Sequence, residues 1–184
     1  MGGAISWRYA VAQPARVAAL LLLNAGGMPP RPGEKAAASN IGFRILRNGI
    51  GRWLAGQITP RALIKSSLEQ SVSNRAIVTD AAVDRYWELL RFPGNRQATA
   101  LRATVPHDPR MAERAREITA PTLVLFGAED RIINPSAATS FVERIKGARL
   151  VLLPGVGHLP MEEAPDATAS AIRDFLAAPV SAKP

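Results

Sequence analysis

Residues 149–158 read Arg149-Leu150-Val151-Leu152-Leu153-Pro154-Gly155-Val156-Gly157-His158. Four apolar residues in a row cannot present one wet and one dry face. Leu150 to Leu153 is therefore predicted to be a short strand buried on both sides, as in a parallel sheet. Pro154, Gly155 and Gly157 stop the strand and turn the chain tightly. The turn delivers a histidine just past the strand's carboxyl end, the edge of an open α/β sheet where ligands and chemistry sit.

A second stretch of the same build lies upstream: Pro121-Thr122-Leu123-Val124-Leu125-Phe126-Gly127-Ala128-Glu129-Asp130. It reads as a buried strand ending in a glycine turn and two carboxylates. Between the two strands, Asn134 is an N-cap with Pro135 at the first helical position. Ala138, Phe141, Val142 and Ile145 then follow helical spacing up to Gly147. Strand, helix, strand of this kind is a parallel crossover, so Asp130 and His158 emerge at one edge. A carboxylate that binds the imidazole Nδ1–H fixes the tautomer and leaves Nε2 as the base. Asp130 is the first choice for that carboxylate and its neighbour Glu129 the fallback.

Working outward, the N-terminal residues to Val11 read as a helix with Ile5, Tyr9 and Ala12 on one face, ended by Pro14. Val17 to Leu23 reads as another buried strand, closed by Asn24-Ala25-Gly26-Gly27. The prolines at 29, 30 and 32 mark a boundary. From about Ile41 to Val105 no strand is predicted. Phe43, Leu46, Ile50 and Trp53 share one helical face. Thr59 is an N-cap ahead of Pro60, and Ile64 and Leu68 give the next helix its apolar face. Thr79 opens another helix with Val83, Tyr86, Trp87 and Leu90 on one stripe, stopped by Pro93-Gly94. This helical insertion can be a plain subdomain or a lid, with Phe43, Trp53 or Trp87 facing a substrate. A final helix is predicted from about Ala164 to Ala177, burying Ile172, Phe175 and Leu176.

Composition excludes several classes. The chain of 184 residues has no cysteine, which removes disulfides and Cys-based metal sites. Its longest apolar run, Val17 to Leu23, is far short of the ~20 residues a membrane span needs, and no signal peptide is visible. A cytoplasmic protein without a membrane partner is expected. The net charge of +8 is spread over arginines set among apolar helical positions. A nucleic-acid groove would cluster them with stacking aromatics, so no nucleic-acid partner is expected. His107, the other histidine, reads as a solvated loop residue.

With Asp130, His158 and the segment His158-Leu159-Pro160-Met161-Glu162-Glu163-Ala164-Pro165 in view, the chain resembles the α/β-hydrolase family. In that family the order is nucleophile, acid, histidine, with a helical lid between the sixth and seventh strands. The resemblance implies an α/β fold, a partial α/β-hydrolase fold of three parallel strands (the family's sixth to eighth) with flanking helices and a helical lid insertion. The implied core is 1–27 with 119–184, and the lid is 28–118. The implied catalytic residues are Asp130 and His158, acting on an ester, lactone or C–C bond of a small apolar substrate. No metal and no organic cofactor is implied.

The family's nucleophile sits in Gly-x-Ser-x-Gly on a sharp elbow. The opening Met1-Gly2-Gly3-Ala4 resembles the residues directly after that serine, which puts Met1 at an oxyanion-hole position. The expectation is a fragment of a longer enzyme, inactive alone. Ser6 lies well inside the first helix and is no substitute for the elbow serine. Relatives that cleave epoxides or carbon–halogen bonds carry Asp at the elbow, usually followed by Trp, and Met1 fits the serine enzymes better. A competing expectation from another class is a non-catalytic binding module that keeps the scaffold.

Overall fold

In the computed structural model, residues 2–29, 45, 46, 48–102 and 110–178 are described. Helix α1 (Gly2–Ala12) leads through a 3₁₀ turn at Pro14–Arg16 into strand β1 (Leu20–Leu23). Helices α2 (Gly49–Gln57), α3 (Arg61–Ser71), α4 (Asp80–Arg91), α5 (Asn95–Arg102) and the short α6 (Arg110–Glu113) follow. The chain then returns to strand β2 (Thr122–Gly127), helix α7 (Ser136–Arg144), strand β3 (Arg149–Leu153), the short α8 (Pro160–Glu163) and α9 (Pro165–Ala177). No strand interrupts the described residues between β1 and β2, as the lack of alternation there predicts.

The three strands form one parallel sheet in the order β1-β2-β3. Its register pairs Leu23 with Leu125 and Gly127 with Leu153. All three carboxyl ends therefore open on the same side. β2 lies in the middle and is buried along its whole length, which explains its unbroken apolar sequence. On one face, Val124 and Phe126 meet Trp7 of α1 and Phe141 of α7. The Trp7 and Phe141 rings pack edge to face with centroids 6.2 Å apart, the geometry that ring quadrupoles favour. The Trp7 indole N–H donates to the Gly26 carbonyl, so the large ring is buried without stranding its polar atom.

Several sequence expectations change. Among the described residues β3 pairs on one side only, and Leu150 and Leu152 are exposed, the latter by 48%; the four-residue apolar run is not buried on both faces. β1 spans Leu20–Leu23 rather than Val17–Leu23, because Pro14–Arg16 forms a 3₁₀ turn before it. In α1 the sheet lies against Ala4, Trp7, Ala10 and Val11, and Ile5 and Tyr9 are exposed. The Thr59 side chain does not cap α3; Pro60 is the flanking residue and no side chain caps that end. A separate short helix, Pro160–Glu163, precedes the final helix, which spans Pro165–Ala177, within a residue of the predicted range. Leu176 is exposed on it. Thr79 does cap α4, its hydroxyl accepting from the Ala82 N–H. Among the described residues no helix is long and apolar enough to cross a membrane.

Candidate active site

Each strand hands one polar residue to the shared carboxyl edge. After β1 comes Asn24, buried and held at φ 44°, a left-handed conformation that asparagine tolerates better than most side chains. After β2 comes Asp130, and after β3 comes His158. Gly127 has no room for a side chain, since a Cβ there would meet the carbonyl oxygens of Val156 and Gly157. That close approach brings the two loops together, and the Glu129 N–H donates to the Val156 carbonyl across it at 2.9 Å.

Asp130 Oδ2 lies 2.8 Å from His158 Nδ1. The carboxylate side chain is fully buried and the imidazole is 23% exposed. Asp130 Oδ2 also accepts from Asn24 Nδ2 at 2.6 Å. Its other oxygen, Oδ1, accepts from the backbone N–H groups of Ile132 and Ile133 at 2.7 and 3.0 Å. Four donors on one buried carboxylate offset the cost of removing it from water. They also fix its orientation, so a proton on Nδ1 is favoured and the Nε2 lone pair faces outward. The Glu129 side chain is exposed.

Asn24 is a residue of this edge that the sequence reading did not single out. Its amide donates to Asp130 and to the Gly157 carbonyl, while its Oδ1 accepts from the Gly127 N–H at 3.2 Å. One side chain thus ties all three strand ends. The signal was an asparagine directly after an apolar strand, which by itself reads as a turn.

Glu163 is the other omission. Its Oε1 accepts from the Gly157 N–H at 2.8 Å, and its Oε2 accepts from Ser73 N–H at 2.7 Å and Asn74 N–H at 3.2 Å. The His158 N–H donates to the Ser71 carbonyl at 2.8 Å. A Cβ on Gly157 would lie 2.8 Å from that carbonyl oxygen. The histidine loop is therefore fastened to the end of α3 through backbone groups on both sides. Glu162 adds a second link, accepting from the Tyr86 hydroxyl and from Arg85. Burial, then the bond to Glu162, pushes the Tyr86 phenol up to about 12.

Of the aromatic residues expected at a substrate surface, Trp53 and Trp87 belong to the described residues. Trp53 is 65% exposed on α2. Trp87 donates its indole N–H to the Thr59 carbonyl at 2.7 Å, and Arg91 sits 4.2 Å over its ring. Phe43, Met1 and His107 lie outside the described residues. The Ser6 hydroxyl donates to the Gly2 carbonyl within α1. Among the described residues no cluster of three metal-ligating side chains occurs.

Residues 1–171 match the family described as the alpha/beta hydrolase family. Among curated proteins, the chain is 26% identical to a 2-hydroxy-6-oxononadienedioate/2-hydroxy-6-oxononatrienedioate hydrolase of Comamonas testosteroni, covering 96% of this chain and 60% of that protein. It is 24% identical to Lipase 3 of a Moraxella species, covering 95% of this chain and 53% of the lipase. The chain thus spans less than two thirds of the length of these relatives. Among solved structures, the enol-lactonase of Burkholderia xenovorans superposes with a TM-score of 0.70 at 20% identity, over 96% of this chain and 62% of that one. A hydrolase of Pseudomonas aeruginosa gives 0.71 at 23% identity, over 96% and 62%. At these identities the two structures speak to the fold alone.

Proposed function

The chain belongs to the α/β-hydrolase family, and on that premise we propose that Asp130 and His158 are the acid and the base of a nucleophile–histidine–aspartate hydrolase. The bond cleaved is an ester, a lactone or a C–C bond of a small apolar substrate, a range supported by the names of the lipase, the 2-hydroxy-6-oxononadienedioate/2-hydroxy-6-oxononatrienedioate hydrolase and the enol-lactonase. The observation that carries the reading is the buried carboxylate 2.8 Å from His158 Nδ1.

In this reading Asp130 holds the Nδ1 proton and the Nε2 lone pair accepts the proton of an attacking hydroxyl. The resulting imidazolium is stabilised by the carboxylate beside it, and Nε2 then returns the proton to the leaving group. No step requires a metal or an organic cofactor. The sequence contains no Gly-x-Ser-x-Gly, so the 184 residues supply the acid and base and not the elbow serine. Residues 28–118 act as the lid, an assignment supported by the bond from the His158 N–H to the Ser71 carbonyl and by those from the Ser73 and Asn74 N–H groups to the Glu163 carboxylate.

The test is hydrolysis of activated esters by the 184-residue chain and by a version restored N-terminally to the full length of its relatives, elbow serine included. The short chain should show no turnover above a protein control. The restored one should turn over, and His158→Ala should abolish it while circular dichroism stays unchanged. Esterase activity in the short chain that disappears on His158→Ala would mean a different nucleophile within these residues.

A further inference from the structure

The strength of a histidine base depends on the oxygen that faces its other ring nitrogen. Here that oxygen, Asp130 Oδ2, carries two donors at once: His158 Nδ1 at 2.8 Å and Asn24 Nδ2 at 2.6 Å. Donors on one oxygen compete, because each draws on the same lone-pair density. Asn24 therefore reaches the imidazole through the carboxylate without touching the ring.

The backbone fixes which way the Asn24 amide points. The Gly127 N–H only donates, so the atom 3.2 Å from it is the amide oxygen. The Gly157 carbonyl only accepts, so the atom 3.2 Å from it is the amide nitrogen. The second N–H of that nitrogen is then left for Asp130 Oδ2. Aspartate in this place would set oxygen against oxygen, and an apolar side chain would strand all three groups. Asn24 is buried, so bulk water is no substitute for the amide. Its φ of 44° is a conformation that glycine adopts most readily. The turn by itself thus favours glycine, and the amide is what asparagine adds.

We propose that Asn24 is a positioning residue of the acid–base pair. Its N–H holds Oδ2 in line with His158 Nδ1 and tempers the pull of that oxygen on the ring proton. The imidazole then keeps its neutral form, with the Nε2 lone pair free to accept. This rests on the reading of Asp130 and His158 as acid and base. Without the amide the carboxylate is a stronger acceptor and favours the imidazolium, so that at neutral pH a larger share of His158 has no lone pair on Nε2. Apart from Asp130, the charged side chains on the elements that meet at the ring are Glu129 and Arg131 after β2, Glu162 and Glu163 on α8, and Glu69 and Arg75 beside the end of α3. They are the same in each protein compared, so a difference reports on Asn24.

The experiment is a pH titration of the His158 ring by ¹H and ¹⁵N NMR in the 184-residue chain, unaltered and as Asn24→Gly. Glycine removes the amide without straining the turn and without adding charge. The midpoint at which the ring charges should move to higher pH by roughly 0.5 or more, and the Nδ1 proton should move to lower field. A side chain that only tied the strand ends would lower stability to urea and leave both signals in place. The unaltered chain supplies a check that needs no variant. As His158 charges, its ring takes more of Oδ2, and the Asn24 N–H proton on that oxygen should move to higher field. In the restored full-length version, the rising limb of kcat/KM against pH should shift upward with the ring midpoint. Absence of turnover there would sink the hydrolytic reading and leave the ring titration to judge Asn24. An unmoved midpoint and ring proton in folded Asn24→Gly, or an Asn24 amide indifferent to the charge on His158, would overturn the proposal.

Discussion

At the carboxyl edge of β2, both oxygens of Asp130 have two donors each, and the backbone around Gly127 and Gly157 is too close-packed for a single added carbon. Helix α2 is the opposite case. It has no buried residue, and Ile50, Trp53, Leu54 and Ile58 are all exposed. The first region is held by pairwise-satisfied polar groups inside a dry sheet edge, which allows one arrangement. The second is held by partial apolar contacts and a few side-chain-to-carbonyl bonds, which allow many of similar energy. Proton transfer needs the first kind of construction, because an imidazole misplaced by an ångström loses much of its effect.

The largest effect that would test this contrast is on catalysis. In the restored full-length version, Asp130→Asn should lower kcat by up to about 10⁴-fold, since an amide no longer selects the Nδ1–H tautomer. Steady-state ester hydrolysis reads this directly. Near-normal turnover would move the acid role elsewhere, with Glu129 the next residue to substitute. Next in size is Gly127→Ala. Its new methyl would force the β2 and β3 loops apart, and urea denaturation should show a loss of about 3 kcal/mol. The smallest effect belongs to α2. A Cβ added at Gly56 would have no heavy atom within 4 Å, so Gly56→Ala should raise stability by about 0.5–1 kcal/mol through helix propensity alone. If Gly127→Ala proved as mild as Gly56→Ala, the two regions would not differ in this way.

The sequence made the pair legible because each half is local. An apolar strand, a glycine turn and a polar residue occur together twice, at Leu123–Asp130 and Leu150–His158, and the helix between them implies parallel strands. Features that depended on distant partners were not legible. Asn24 acts on Asp130 across 106 positions, and Glu163 reaches Ser73 across 90; neither residue type signals that by itself. The burial of β3 was overestimated for the same reason. Its apolar run says that a strand forms there, and the number of neighbouring strands decides how much of it is covered. In α1, both the Ile5/Tyr9 and the Trp7/Val11 faces carry apolar residues, and the position of the sheet selected the second.

The claim on which the rest depends is that Asp130 holds His158 with its proton on Nδ1. The most direct measurement is ¹⁵N NMR of the histidine rings in the 184-residue chain, at a pH where the imidazole is neutral. The sequence has only two histidines, His107 and His158, and a His107→Gln variant assigns them. His158 should show the Nδ1–H tautomer with a low-field ring proton, and Asp130→Ala should abolish both. An Nε2–H tautomer in the unaltered chain, insensitive to Asp130→Ala, would contradict the claim.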